Sequence, residues 1–201
     1  MNFDPQLLFG IASGIGLSAA CGFRIFVPLL IASIAHKMGW LPLAENLEWI
    51  SSWPALIAFA TASVLEIAAY YVPYLDNLLD TIAAPSAMIA GTIVSASTII
   101  DIDPTWQWIL ALLVGGGSAG IIQAGTGLTR LSSLKFTGGL GNHAVATGEN
   151  VASIGGSIIA IVAPLIALTG VAVLVIIILW MISKFFMKKS HEPIAKNQDA
   201  V

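Results

Sequence analysis

Read for its alternation of apolar and polar positions, the chain falls into long uncharged stretches separated by short polar punctuation. Apolar runs near 54–72, 84–100, 105–127, 149–168 and 170–187 each approach the roughly twenty residues that a membrane-crossing helix needs. The first run is different. Residues 6–38 contain one charge among Asp, Glu, Lys and Arg until Lys37, namely Arg24. As a single helix they would rise about 50 Å, well beyond a hydrocarbon core of about 30 Å. "AACGFRIFVP" offers a break, because Gly22 weakens a helix and Pro28 removes a donor and clashes with the carbonyl of Arg24. The pattern predicts either one steeply tilted helix or two half-length helices meeting near Gly22. Irregular backbone at such depth requires cover from protein or water.

The expected class is therefore all-α: an integral membrane helical bundle of about six or seven hydrophobic segments. It has a broken or re-entrant first segment and a glycine-rich inner loop, "TGGLGNHAVATGEN". Residues 1–189 form one membrane domain and 190–201 a polar cytoplasmic tail, expected to be disordered. Within the loop, Thr147 and Gly148 are read as the start of a helix, with Glu149 in its first turn complementing the macrodipole. Alternatively the loop folds back into the membrane and offers Asn142 and Asn150 to a solute.

Composition strengthens this picture. With 57% hydrophobic and 9% charged residues and a mean hydropathy of +0.91, the chain carries more apolar surface than a soluble globule of its size can bury. "MNFDPQLLF" shows no Lys or Arg before its apolar run and no small-residue cleavage site, so the first segment is expected to stay in place. The single cysteine, Cys21, excludes an internal disulfide framework and a thiolate metal cluster. No phosphate-binding G-x4-G-K-[ST] occurs, no cofactor is implied, and nothing suggests nucleic acid as a partner.

Lysine and arginine set the expected orientation. Lys184, Lys188 and Lys189 follow Trp180, which places the C-terminus in the cytoplasm of a bacterial inner membrane. Tracing backward puts a turn near Gly170 outside and the glycine-rich loop, with Arg130 and Lys135, inside. "IIDIDPTWQW" then lies outside and "VPYLDNLLDTI" inside. "GWLPLAENLEWISSW", acidic and bearing Trp40, Trp49 and Trp53, lies on the outer surface, and only Lys37 dissents.

In that topology Arg24, Glu66, Asp76, Asp80, Arg130, Lys135 and Glu149 all map to the inner half. Ionisable groups there cost about 2.5–3.5 kcal/mol each on insertion scales, so they pair or line water. Asp76 and Asp80 stand one helical turn apart on one face, a spacing that suits a solvated helix start, a matching base or a bound cation. Glu66 lies late in an apolar run with no charge beside it. It reads as a snorkelling or salt-bridged acid, or as a protonatable or cation-coordinating one on a transport path. Three scattered histidines, His36, His143 and His191, make no metal site. The glycine clusters 115–120 and 152–156 read as close-packing positions between helices. A repeat of G-x-G-L-[ST]-x5-[RK] at 14–24 and 125–135 does not extend further.

The phrases "SAACGFRIFVPLL", "SWPALIAFATASVLEIAAYYVPYLDNLLD" and "GLTRLSSLKFTGGLGNHAVATGENVASI", taken together, resemble a bacterial family of small multi-pass membrane proteins known as domain of unknown function four-one-two-six. The likeness runs to about residue 187. Its most specific pieces are Gly22, Arg24 and Pro28; Glu66, Pro73, Asp76 and Asp80; and Gly138, Gly139, Gly141, Asn142 and Glu149. Where members read N-P and later E-D, this chain reads Asn142-His143 and Glu149-Asn150, so no second acid stands beside Glu149. The resemblance implies no activity.

These features point first to a small transporter or channel-like permease. Its solute or ion would be bound by Arg24, Glu66, Asp76, Asp80, Arg130, Asn142 and Glu149, its partners being the lipid bilayer, that small solute and a second copy in a homo-oligomer. The alternatives are a Mg²⁺-dependent lipid or prenyl-phosphate enzyme using Asp76 and Asp80, or a structural subunit docking a partner through its charged mouth. An amphiphilic substrate would call for a groove open to lipid.

Overall fold

The structure, a computed structural model, describes residues 5–137 and 141–190, with the backbone alone described at 73, 74, 76, 77, 137 and 185–190. Helices follow one another without a strand among the described residues, as they must where lipid supplies no backbone hydrogen-bond partner. They are α1 (Pro5–Cys21), α2 (Phe26–Lys37), a 3₁₀ turn (Glu45–Ser51), α3 (Trp53–Ala69) and α4 (Pro73–Thr98). After these come α5 (Pro104–Leu110), a π-helical stretch (Ala111–Gly116), α6 (Gly117–Thr137), α7 (Asn142–Val162) and α8 (Pro164–Ser190). Four stretches are long and apolar enough to cross a membrane: Leu78–Thr98, Pro104–Phe136, Asn142–Val162 and Pro164–Lys184. The 3₁₀ turn and α3, bent by 56°, add a fifth candidate. With α1 and α2 these make seven apolar segments, and they fit a multi-pass membrane protein.

The first run is indeed two helices. At Gly22 an added Cβ would come within 2.5 Å of the Ile122 Cβ and 2.6 Å of the Ala119 carbonyl oxygen, so only glycine lets this turn seat against α6. Pro28 falls in the first turn of α2, where its missing N–H is not needed. Both outer ends of the pair meet the same end of α4. Gly10 of α1 packs against the Thr98 carbonyl, and the Ala44 N–H, just beyond α2, donates to the Ser97 carbonyl at 2.8 Å. The two arms, about 25 and 18 Å long at 1.5 Å per residue, therefore form a re-entrant hairpin with its tip at residues 22–25.

Five exposed tryptophans, Trp40, Trp49, Trp53, Trp106 and Trp108, mark the end of the bundle where the hairpin opens. Lys37 stacks there on Trp53, 4.5 Å from the ring centroid. The opposite end carries the 70–72 turn, the start of α7 and the end of α8, with Lys135 and Lys184 exposed. Tryptophan belts favour the membrane–water interface. The 3₁₀ turn lies at this edge, but Leu47 and Ile50 on it are buried against α4.

Two boundaries differ from the expected ones. The turn near Gly170 is instead at Ala163, where φ −140° and ψ 67° break the helix and Pro164 starts the next; residues before proline avoid helical angles. Helix α7 begins at Asn142 rather than at 148, so Thr147 is interior, and its hydroxyl donates to the His143 carbonyl at 2.8 Å. Gly138 and Gly139 of the glycine-rich loop lie outside the described residues, as does the 191–201 tail.

Close helix packing is concentrated where small residues meet. Gly115, in the π-helical stretch, faces Ser95 and the Gly91 carbonyl with no room for a side chain, and Ser18 of α1 donates to that same Gly91 carbonyl at 2.6 Å. Lipid tails are as apolar as leucine, so this kind of contact, rather than burial from water, holds membrane helices together. Of the glycines expected to pack, Gly117 and Gly155 meet nothing within 4 Å.

Candidate functional site

The hairpin tip places Arg24 inside the bundle at 1% exposure. Its guanidinium is held on three nitrogens. Nε donates to Asn150 Oδ1 (2.6 Å), Nη1 to the Phe23 carbonyl (3.0 Å) and to Glu149 Oε2 (2.8 Å), and Nη2 to the Ala146 carbonyl (3.1 Å). The fixed fork of arginine suits such divided attention better than a lysine ammonium would.

Glu149 is the hub. Besides Arg24 it accepts from Arg130 of α6, through Nε to Oε1 at 3.1 Å and through Nη2 to Oε2. Arg130 Nη1 also lies 3.5 Å from Asp80 Oδ1 of α4. Both arginines and Glu149 are buried, whereas the Asp80 side chain is 30% exposed and forms the rim toward the lysine end. Two cations and two anions thus balance, and each charge has the partner that burial demands. The guanidinium carbons of Arg24 and Arg130 each lie 4.1 Å from the Tyr70 ring centroid, an additional cation–π attraction in a dry setting.

Glu66 has a different role. Its carboxylate accepts from the backbone N–H of Ile25 (2.7 Å) and of Phe26 (3.1 Å). These are donors that the first turn of α2 leaves unpaired, and a negative group there meets the positive end of the helix dipole. Helix α3 therefore caps α2 across space, directly beside Arg24. Neither the snorkelling nor the salt-bridged arrangement describes it.

Five of the seven expected residues, Arg24, Glu66, Asp80, Arg130 and Glu149, come together from five parts of the chain. Asp76 lies on α4 one turn before Asp80, but its side chain is outside the described residues. Asn142 opens α7, about 10 Å along the axis from Glu149 at 1.5 Å per residue. Glu149 sits two turns into that helix, not in its first turn as the glycine-rich reading had it. Lys135 is exposed and apart.

Sequence reasoning missed the tyrosines. Tyr71 OH lies 2.9 Å from Thr147 Oγ1 and accepts from Asn150 Nδ2 at 3.4 Å, and its ring approaches that of His143 at 5.8 Å. Asn150 thus links the buried arginine to an exposed polar group at the lysine end. The "YY" following Glu66 was the available signal, since an aromatic with a polar tip at a span's end favours an interface.

Chemically, two guanidiniums sharing one carboxylate form a fork that recognises oxyanions, with Glu149 as the internal one. Among the described residues no three His, Cys, Asp or Glu side chains stand close enough to hold a metal, and a cation at Asp80 would face Arg130.

Neither the curated proteins nor the solved structures contain a match to this chain. A family model described as a domain of unknown function, DUF4126, matches residues 11–184, and with most of its length covered the chain belongs to that family.

Proposed function

We propose that the protein is a small membrane transporter or permease, with its solute or ion handled at the Arg24–Glu149–Arg130–Asp80 cluster. One observation carries the reading: a re-entrant hairpin entering from the tryptophan-rich end delivers an arginine to a carboxylate that is reached from the other side through the half-exposed Asp80. Helix breaks and ionisable groups at depth are costly features, common along solute paths. Exposed Lys135 and Lys184 favour the lysine end as cytoplasmic in a bacterial inner membrane, which a reporter enzyme fused after Val201 tests.

The functional test uses proteoliposomes with an internal pH dye and a potential dye, challenged with proton, sodium, potassium or chloride gradients. The protein is expected to dissipate a gradient that empty liposomes hold. Asp80→Asn is expected to slow that flux about tenfold, a loss worth 1.4 kcal/mol, while insertion and helix content persist. Unchanged flux in the variant removes the cluster from the mechanism.

The saturation of Arg24 favours a second reading, a structural membrane subunit whose ionic cluster locks the hairpin. Purification of a stoichiometric partner, with no gradient dissipated, would select it.

A further inference from the structure

We propose that Glu66 is a proton-binding site that works the hairpin tip, with the proton serving as the coupling ion of transport. The side chain is 7% exposed, and its neighbours along α3 are apolar. Among the described residues it forms no ion pair. Arg24 and Arg130 are already answered by Glu149 and Asp80, so Glu66 adds a third carboxylate to two guanidiniums. Arg24, though near, commits its donors to Asn150, Glu149 and two carbonyls. A carboxylate buried without a base of its own is costly, and the ordinary relief is a proton. The 70–72 turn begins one helical turn later at the lysine end, which puts water close at hand to supply it.

Geometry sets what the proton changes. Each carboxylate oxygen accepts one backbone N–H, Oε1 from Ile25 at 2.7 Å and Oε2 from Phe26 at 3.1 Å. These bonds pin the start of α2 and, with it, the tip that carries Arg24. A charged acceptor makes bonds roughly twice as strong as a neutral one, and it also meets the positive end of the α2 dipole. Protonation removes both advantages: the ionised acid holds the tip, and the neutral acid lets it move. The groups that bear on the charge of Glu66 are Cys21 on α1, Arg24 on the tip, Tyr70 on α3 and Glu149 on α7. Arg24 is the one cation among them. A loosened tip carries that cation away, which keeps the proton on Glu66 until the tip reseats and the acid returns it to water.

As a coupling ion the proton rests on the transport reading above; as a switch on the tip it is measured without any flux. Cys21, the chain's single cysteine, is buried at the end of α1 next to the tip and reports its opening. The experiment labels Cys21 of the full chain in proteoliposomes with a small neutral methanethiosulfonate, each rate taken relative to a free thiol at the same pH. Wild-type labelling is expected to rise about tenfold as the pH falls, and Glu66→Gln, fixed in the neutral form, to label at the faster rate at every pH. Glu48→Gln, on the exposed side of the 3₁₀ turn, is expected to follow the wild type. Infrared difference spectra across the same titration are expected to show a carboxylic C=O band that Glu66→Gln lacks and Glu48→Gln keeps. Wild-type labelling that ignores pH, or a band that survives in Glu66→Gln, overturns the site, and the first is read even if that variant does not fold. Flux with one pH profile in wild type and Glu66→Gln leaves transport standing and overturns the proton's place in it. Both signals without any gradient dissipated support the switch and remove the transport reading instead.

Discussion

Glu149 shows how much a single side chain can carry inside a bilayer. Replacing it with glutamine leaves buried Arg24 without its ion-pair partner and Arg130 with the half-exposed Asp80, a change that costs about 3–5 kcal/mol when one partner of a buried pair is removed. Thermal unfolding in detergent is expected to record that loss. Asp80→Asn, at the half-exposed rim, is expected to cost under about 1 kcal/mol because solvent screens the pair. Glu66 makes a separate prediction. Each carboxylate oxygen serves one N–H of the α2 start, so Glu66→Gln keeps an acceptor for one and loses the other bond together with the charge–dipole part, about 1–3 kcal/mol; Glu66→Ala leaves both donors unpaired and is expected to lose about 1–3 kcal/mol more. Hydrogen exchange at the Ile25 and Phe26 amides separates the two variants. That these acids and bases would meet was legible in the sequence, because lipid leaves buried charges no other choice. That Glu66 serves backbone donors rather than a base was not, since the donors belong to a helix start forty residues earlier in the chain.

At the scale of elements, length narrowed residues 6–38 to a steeply tilted helix or a break near Gly22, and the structure has the break, with α1 ending at Cys21 and α2 starting at Phe26. The turn at Ala163 was not legible, because Pro164 lies inside an unbroken apolar run and hydropathy cannot see a backbone kink. The glycines of 137–148 misled in the other direction: Gly148 lies within α7 and has open space around it, so the helix begins earlier than composition suggests. Close packing at the π-helical stretch leads to a sharp expectation. Gly115→Leu must push α4 away from Ser95 and is expected to abolish the stable fold, whereas Gly117→Ala, where nothing lies within 4 Å, is expected to gain a few tenths to about 1 kcal/mol in helix preference. Melting temperatures of the purified variants decide this. At the start of α5, Asp103 accepts from the Thr105 N–H at 2.8 Å, and that bond holds its carboxyl below the usual range. Its support for the helix start is therefore full above the unfolded pKa and fades as pH falls through the lowered value, a dependence that Asp103→Asn is expected to remove from an acid titration of stability.

For the whole molecule, the two ends differ in chemistry as well as in charge. One presents tryptophans and the hairpin's opening; the other presents lysines, Asp80 and the Tyr71–Asn150 link to the interior. A water-soluble quencher added outside sealed vesicles of uniform orientation is expected to reach the tryptophans of the first end and to leave Trp180, on α8, dim only when admitted to the lumen. The hairpin tip separates the ends, so any solute passing between them must move the tip, displace Arg24 from Glu149, or slip beside them.

The hairpin also fixes the parity of the chain. Because α1 and α2 leave by the face they entered, they contribute nothing to the odd or even count of passages, and the sidedness of everything after them is decided by α3 onward. Excising the pair would gut the interior yet leave the later loops in their original compartments; excising α3 alone would turn the remainder of the protein over.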